Sequence, residues 1–223
     1  MSVKVVYALR VRDEEKIIRR AIEAHDWVDL IVLCDGGSID KTVEIAQEYP
    51  NVLITHFDEK YYRADGTWRN PEGRQINHTL SVAEESGADW IVFEDCDCVP
   101  NSHLKRDIRG YIETTEFDYI YAPRLYVYGQ DFYSRNLGQV PVIWIWKASL
   151  HLRTPETNRH WSFPWGSEKQ ILNLFPPYFK LHYYAPDEET TDRKLQDLRA
   201  DGVYHQHPLD FGGELCPIPD GWR

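Results

Sequence analysis

The chain has 223 residues, of which 42% are hydrophobic and 27% are charged, the composition of an ordinary globular protein. Its 25 basic and 36 acidic residues give a net charge of −11, which argues against broad electrostatic binding to nucleic acid or anionic lipid. Since no apolar run approaches the roughly 20 residues of a membrane span and no secretory signal precedes the first strand pattern, we expect a cytoplasmic protein.

Strand and helix patterns alternate in the first half of the chain. Apolar runs rich in β-branched residues predict strands at residues 3–9, 30–34, 52–56 and 90–93. Helical spacing predicts helices at residues 13–25 and 40–49, one that opens at Pro71 and one that Asn101 or Ser102 caps. This alternation predicts a mostly parallel sheet with helices on both faces. Because such sheets bind ligands beyond the carboxyl ends of their strands, we expect the functional residues to follow strands directly.

The pattern changes after residue 118. We predict longer strands at residues 119–128 and 140–147, an irregular Pro- and Trp-rich stretch at 153–166, a strand at 178–184 and a helix at 188–200. The tail at 202–223 is expected to lie on the surface without regular structure. The many aromatic rings of this part suit sugar faces as well as a hydrophobic core. We therefore predict one α/β domain over residues 1–223, with a mostly parallel half at 1–117 and a mixed, aromatic-rich part at 118–223.

The strand predicted at residues 90–93 is followed by two closely spaced carboxylates. One residue separates Asp95 from Asp97, so an extended backbone directs both side chains into the same crevice. Two carboxylates held in this way can bind one hard divalent cation, and such a cation stabilises a diphosphate leaving group. The alternative is that this Asp-x-Asp segment simply opens a turn.

A second acidic residue, Asp35, follows the strand predicted at residues 30–34. It is placed to accept hydrogen bonds from a ribose or a base, and Gly36 and Gly37 permit close approach of the backbone to a ligand. Ser38 or Asp40 is expected to cap the helix that follows. A purely structural strand-to-helix turn would explain Gly37, Ser38 and Asp40 equally well, but it explains Asp35 less well.

Four motifs occur in one order along the chain. They are Arg12-Asp13-Glu14-Glu15, Asp35-x-Gly37-Ser38-x-Asp40-x-Thr42, Arg74-x-x-Asn77 and Asp89-Trp90-Ile91-Val92-x-x-Asp95-x-Asp97. Over about the first 100 residues they resemble glycosyltransferase family 2. The resemblance implies the GT-A fold, which is Rossmann-like, a nucleoside-diphosphate-sugar donor, most often a UDP-sugar, and a divalent cation, Mn²⁺ or Mg²⁺. The chain departs from the family pattern at Asp13, Gly36 and Ile39.

The resemblance also implies which residues bind the donor. Asp35 is expected to face the base or ribose, and Asp95 to contact the ribose or sugar side of the donor. Arg74 is expected to lie near the diphosphate. Leu9 and Val11, taken as residues that follow the first strand, are expected to line the nucleotide site.

The metal ligands and the catalytic base come from both halves of the chain. Asp97 is the implied metal ligand, and His182 is expected to complete the metal shell, since many members of the family carry a histidine in a late segment. Inverting transfer needs a group near the acceptor hydroxyl that takes up its proton. Glu168, at the start of a predicted helix, is the first candidate for this base, and His160 is the second.

We therefore predict an inverting, metal-dependent hexosyl- or pentosyltransferase that acts on a glycan, a small molecule or a protein. A modified base in nucleic acid is an alternative acceptor, for which Lys105, Arg106 and Arg109 would form a local basic patch. A nucleotidyltransferase would carry a Gly-rich loop after the first strand, where residues 10–15 contain no glycine. A non-catalytic carbohydrate-binding protein would need the aromatic residues but not the carboxylates.

Overall fold

The computed structural model describes residues 3–129, 132–134, 140–156, 171–185 and 215–218. They form an eleven-stranded sheet with helices packed against it, and a separate two-stranded hairpin. The strands are β1 (Val5–Val11), β2 (Leu30–Asp35), β3 (Val52–His56), β4 (Tyr61–Tyr62), β5 (Trp68–Arg69), β6 (Trp90–Phe93), β7 (Cys98–Pro100), β8 (Tyr119–Tyr128), β9 (Phe132–Ser134), β10 (Val140–Lys147), β11 (Ile171–Asn173), β12 (Lys180–Ala185) and β13 (Leu215–Pro217). The helices are α1 (Ile18–Ala24), α2 (Thr42–Ala46), α3 (Glu72–Glu85) and α4 (Ser102–Thr114), with a 3-10 turn at Ala148–Leu150.

The first half of the chain builds the parallel part of the large sheet. Strands β3, β2, β1 and β6 lie side by side in that order and all run parallel. Strand β10 then pairs antiparallel with β6, and β8 pairs antiparallel with β10. The predicted α/β class is therefore confirmed, as is the change from parallel to mixed pairing after the first half.

Alternating side chains of β1 pack on opposite faces of the sheet. Tyr7 belongs to the core on the face that α1 and α4 cover, whereas Ala8 belongs to the core on the face that α3 covers. On the α3 side, Ile76 and Leu80 of that helix are fully buried. Both faces of this strand are thus closed to water along residues 5–9, which explains why these five residues form a continuous apolar run.

Helix α1 begins at Ile18, five residues later than the sequence predicted. Asp13 has a φ of 56°, in the left-handed region, so the backbone leaves the strand in a turn rather than a helix. The amide of Asp13 donates to Ser38 Oγ at 2.9 Å, and the amide of Ile39 donates to Asp13 Oδ1 at 2.9 Å. These reciprocal bonds join the loops after β1 and β2, and they give Ser38 a different role from the predicted cap.

Four aromatic residues of β8 and β10 are part of the core. Trp144 and Trp146 are fully buried and lie in the two cores on opposite faces of the sheet. Tyr119 is 2% exposed and Tyr121 is 9% exposed. Packing, rather than sugar binding, therefore accounts for these four rings.

The last described segment, β13, pairs antiparallel with β9. The prediction that the tail has no regular structure is therefore wrong for these residues, whose backbone hydrogen bonds are satisfied by an edge strand rather than by solvent. The strand predicted at 178–184 is observed as β12. The helix predicted at residues 188–200 lies outside the described residues.

Helix α4 begins as the sequence predicted, because the side chain of Asn101 accepts a hydrogen bond from the amide of Leu104 at 3.0 Å. Its three cations are each paired with a carboxylate: Lys105 with Asp26, Arg106 with Asp107, and Arg109 with both Asp29 and Glu113. The local basic patch therefore does not present unpaired charge. Among the described residues, no helix has the length and apolar character needed to cross a membrane.

Candidate functional site

The centre of the site lies where the parallel strands β1 and β6 end. The chain leaves β1 towards β2 on one side, whereas β6 lies on its other side, so the strand order reverses between them. Ligands of open α/β sheets bind in the crevice at such a point. Ala8 pairs with Phe93, and continuing that register brings Arg10 beside Asp95.

Asp95 forms an ion pair with Arg10 at this crevice. Arg10 Nη2 lies 3.0 Å from Asp95 Oδ1 and 2.7 Å from Glu72 Oε1, so one guanidinium joins the end of β1, the loop after β6 and the first turn of α3. Desolvation raises the pKa of Asp95, although Arg10 acts in the opposite direction, and the nearby carboxylates of Asp97 and Glu94 raise it further. The Asp95 side chain keeps 34% of its surface exposed, which leaves it accessible to a ligand.

Asp97 lies against a histidine from the second half of the chain. Asp97 Oδ1 is 3.3 Å from His182 Nε2, and the two side chains are only 15% and 12% exposed. Cys98 lies in the same cluster, where one possible ligand atom from each of the three residues lies within 4.8 Å of the others. Strand pairing explains the meeting, because His182 is directly opposite Cys98 in the antiparallel pair of β12 and β7. The two residues predicted as metal ligands are thus brought together.

A buried ionic cluster supports the loop that carries these carboxylates. Glu94, between β6 and Asp95, is 1% exposed and accepts hydrogen bonds from Arg124 Nη2 at 2.6 Å and Lys180 Nζ at 2.5 Å. Although burial alone would raise it, Arg124 and Lys180 lower the pKa of Glu94 to about 2. We call Glu94, Arg124 and Lys180 the buried triad.

The sequence did not single out the buried triad. Arg124 and Lys180 are neighbours on the parallel strands β8 and β12, and this pairing is not visible before the fold is known. The one signal was Glu94 itself, a carboxylate next to an otherwise apolar strand run.

Asp35 holds the turn after β2. Its carboxylate is 4% exposed and accepts hydrogen bonds from the amide of Gly37 at 3.2 Å and the amide of Ser38 at 3.0 Å. His56, at the end of β3, places Nδ1 3.5 Å from Asp35 Oδ2. Local turn geometry therefore accounts for part of the role of Asp35, which the sequence had left open.

The glycine before this turn is enclosed by side chains. A Cβ atom on Gly36 would lie 2.3 Å from Asn70 Oδ1 and 3.0 Å from Gln75 Nε2. Asn70 is itself fixed, since its Nδ2 donates to the carbonyls of Phe57 at 3.2 Å and Glu59 at 2.9 Å. The departure from the family pattern at Gly36 thus has a steric reason in this chain.

Three predicted donor-site residues have contacts that the sequence did not reveal. Leu9 and Val11 belong to β1 instead of following it, and their side chains, 0% and 4% exposed, pack in the hydrophobic core. A ligand would therefore meet their backbone rather than their side chains. Arg74, on the exposed side of α3, pairs with Glu59 at 3.0 Å, and the cation next to Asp95 is Arg10. The two predicted bases, Glu168 and His160, lie outside the described residues.

A hairpin of β4 and β5 lies beside the turn after β2. Its Trp68 ring has Lys60 Nζ at 4.0 Å and Arg12 Cζ at 4.8 Å from the ring centroid, and Arg12 also donates to the Trp68 carbonyl at 3.1 Å. A Cβ on Gly37 would contact the same ring at 3.5 Å. The hairpin therefore contacts both the end of β1 and the turn after β2.

Solved structures with a similar fold are glycosyltransferases. Residues 1–349 of S. aureus TarS match with a TM-score of 0.55 and 16% identity over 79% of this chain and 60% of that one. The same protein in complex with UDP-GlcNAc matches with a TM-score of 0.54, 16% identity, and coverages of 81% and 59%. This chain thus spans about 60% of the TarS fragment.

A second relative is covered almost completely. Glucosyl-3-phosphoglycerate synthase of Mycobacterium tuberculosis, in complex with Mn²⁺, UDP and phosphoglyceric acid, matches with a TM-score of 0.50 and 14% identity over 97% of this chain and 87% of that one. At these identities the likeness shows the GT-A fold. No curated protein sequence matches the chain.

The sequence itself identifies the family. The sequence model of the family described as glycosyl transferase family 2 matches residues 10–173. This range contains the end of β1, the turn after β2, the start of α3 and the Asp95–Asp97 loop. These are the segments that meet at the carboxyl edge of the parallel sheet. The chain belongs to glycosyl transferase family 2.

Proposed function

We propose that this protein is an inverting glycosyltransferase that moves a hexose or pentose from a UDP-sugar to an acceptor hydroxyl with the help of a divalent cation. The observation that carries the proposal is the 3.3 Å contact between Asp97 Oδ1 and His182 Nε2 beside the crevice of a family 2 domain. The similar structures of TarS with UDP-GlcNAc and of the synthase with Mn²⁺ and UDP support the donor and the cation.

The residues around Asp97 fit a divalent cation. A carboxylate oxygen and an imidazole nitrogen are common ligands of Mn²⁺, and both side chains are largely buried, which restrains their positions. When bound, the cation would neutralise the diphosphate as it leaves the sugar. Asp97 and His182 would hold it, so both side chains must stay deprotonated towards the cation.

Positive charges around the crevice oppose the protonation of these carboxylates. Glu94, Asp95 and Asp97 lie within four consecutive residues, and their mutual repulsion would otherwise favour protonation. Arg10 pairs with Asp95, and the buried triad supplies two cations to Glu94. In our proposal Asp95 contacts the ribose or sugar side of the donor and Arg10 fixes the orientation of its carboxylate.

The remaining donor and acceptor contacts follow the resemblance. We propose that Asp35 orients the turn that meets the base or ribose, with the backbone of Leu9 and Val11 beside it, and that Arg74 approaches the diphosphate. Glu168, or in its place His160, takes the proton of the acceptor hydroxyl as the bond to the anomeric carbon forms. A glycan, small-molecule or protein hydroxyl is favoured as acceptor over a base in nucleic acid, because the α4 cations are paired with carboxylates.

A thermal-shift panel tests the proposal. UDP-, GDP-, CMP- and dTDP-sugars are each added with Mn²⁺, with Mg²⁺ and with chelator. A ligand at 100 times its Kd stabilises the native state by about 2.7 kcal/mol, so we expect the UDP-sugar with a cation to raise Tm by several degrees. Hydrolysis of the same donor, detected as released UDP, reports the sugar-transfer chemistry with water as acceptor.

Two variants separate the site from a general effect of charge. Asp97→Ala is expected to abolish the cation-dependent shift. Asp26→Asn removes an exposed carboxylate that pairs with Lys105 on α4 and is expected to keep it. No stabilisation by any of the four donors, with either cation, would refute the proposed donor class. A shift that survives in Asp97→Ala would refute the assignment of the metal site.

A further inference from the structure

Cys98 occupies a position in the site that the proposed function does not use. Its side chain is fully buried, and its Sγ lies within 4.8 Å of a carboxylate oxygen of Asp97 and of a ring nitrogen of His182. It is also directly opposite His182 in the ladder between β7 and β12, so the two side chains leave the sheet on the same side. A thiol next to an imidazole and a carboxylate is a typical set of ligands for a borderline metal ion.

The spacing of the cluster suits a tetrahedral cation. Two ligands bound at about 2.0 to 2.1 Å in a tetrahedral shell lie roughly 3.3 to 3.4 Å apart. Asp97 Oδ1 and His182 Nε2 are 3.3 Å apart, which is one edge of such a shell. The Cys98 sulfur lies within 4.8 Å of both atoms, and it would lie about 3.5 Å from each when bound to the same cation.

We infer that Cys98 is a third metal ligand beside Asp97 and His182, and that this site prefers a borderline cation such as Co²⁺ or Zn²⁺ to Mg²⁺. The inference rests on the metal site of the proposed function and adds its ligand set and selectivity. Three protein ligands leave a fourth tetrahedral position open, where a diphosphate oxygen of the donor can bind. Mg²⁺ prefers an octahedral shell of oxygens and gains little from a sulfur ligand.

A sulfur ligand binds a metal ion as the thiolate, so the proton of the Cys98 thiol would be released to solvent when the cation binds.

Spectroscopy with Co²⁺ tests the ligand directly, without any donor or acceptor. The full chain is freed of metal with chelator, dialysed and titrated with Co²⁺, and the near-ultraviolet band that a sulfur-to-cobalt bond produces is recorded. We expect one equivalent of Co²⁺ to produce the band, Zn²⁺ to remove it by displacement, and excess Mg²⁺ to leave it unchanged. The wild-type spectrum alone decides whether sulfur is bound.

Variants assign the band to one thiol. Cys98→Ser is expected to lose the band and to bind Co²⁺ more weakly by about tenfold or more. The mutation of a residue that only hydrogen-bonds a metal ligand already lowers metal affinity by about 10- to 100-fold. Cys216→Ser removes a partly exposed thiol on β13 and is expected to keep the band. Circular dichroism confirms that each variant is folded before titration, and Cys98→Ala provides a second replacement if the serine variant is unstable.

The outcomes distinguish this inference from the proposed function. If Co²⁺ binds with the Asp97- and His182-dependent affinity but gives no sulfur band, Cys98 is not a ligand and the proposed metal site stands. If neither Co²⁺ nor Mn²⁺ binds, both the inference and the metal part of the proposed function are refuted. A band that persists in Cys98→Ser would assign the sulfur to another cysteine and overturn the inference.

Discussion

The buried triad gives the sharpest prediction about stability, because its charges do not cancel. Glu94 faces two cations, so Glu94→Gln leaves Arg124 and Lys180 close together without their counter-charge. Lys180→Met instead leaves Glu94 paired with Arg124, and the methionine fills the space of the lysine stem next to Trp144. The loss of the anion is therefore expected to cost more than the loss of one cation.

The magnitudes follow from the burial of the triad. Glu94 and Lys180 side chains are 2% and 1% exposed, so solvent does not replace a lost partner. Breaking a buried ion pair from one side costs about 3 to 5 kcal/mol, and we expect this loss in Glu94→Gln. Leaving one Glu94 oxygen without a donor costs about 1 to 3 kcal/mol, and we expect this smaller loss in Lys180→Met.

Urea unfolding followed by tryptophan fluorescence measures both variants. With a slope of about 2 to 3 kcal/mol per molar urea, Glu94→Gln should lower the midpoint by roughly 1 to 2.5 M. Equal losses in the two variants, or a loss below about 1 kcal/mol in Glu94→Gln, would refute the reasoning that two cations depend on one anion.

The same cluster predicts an acid transition. The pKa of Glu94 is about 2 in the folded protein and 4.5 ordinarily, a difference that corresponds to about 3 kcal/mol. Because the folded value is the lower one, this stability is present above pH 4.5 and is lost as the pH falls from there towards 2. In Glu94→Gln the loss of stability over this pH range should be smaller by that amount, measured by urea unfolding at each pH.

Three further predictions concern single sites. Gly36→Ala forces a Cβ against Asn70 and should lower the free energy of unfolding, measured by calorimetry, by about 1 to 3 kcal/mol. Gly110→Ala on α4, where a Cβ meets nothing within 4 Å, should cause no loss. Equal effects of the two substitutions would refute the steric argument. Asn101→Ala removes the cap of α4 and the bond to the Pro177 carbonyl and should lower the free energy of unfolding by about 1 to 2 kcal/mol. Asn101→Ser, which keeps a capping oxygen, should lower it by less, and equal losses in urea unfolding would contradict the role of the cap. Burial lowers the pKa of His25 to about 4, so the free energy of unfolding of the wild type should fall by about 3 kcal/mol as the pH falls from 6.5 to 4. In His25→Phe, urea unfolding should show a smaller loss over that range. An identical pH dependence in the two proteins would contradict this reasoning.

The sequence predicted the parts of this fold that local patterns encode. The four parallel strands β1, β2, β3 and β6 and the cap at Asn101 follow from apolar runs and one polar side chain, and the structure confirms them. The short strands β4, β5 and β7 were not predicted. The start of α1 was misplaced because the hydrogen bonds that hold residues 13–15 outside the helix come from the loop after β2 and from the first residue of α2. Such bonds join segments that are distant in sequence, so periodicity carries no sign of them.

The residues of the candidate site also fall into two groups, those that the sequence could identify and those that it could not. Asp95 and Asp97 could be found because they follow a buried strand, and His182 because of the family resemblance. Arg10 and the buried triad could not, because their roles depend on which strands lie side by side. Lys180 shows the difficulty most clearly: a lysine is among the residues least often buried, and only the pairing of β12 with β8 brings it to Glu94.

The two reciprocal hydrogen bonds between the loops after β1 and β2 hold these loops in a fixed position relative to each other. Asp13 contributes its carboxylate to the amide of Ile39 and its own amide to Ser38 Oγ, from a left-handed backbone that aspartate and asparagine adopt most readily. An asparagine at this position can accept the same bond and hold the same backbone without a negative charge. The charge at this position can therefore change during evolution, or by design, without altering the shape of the two loops.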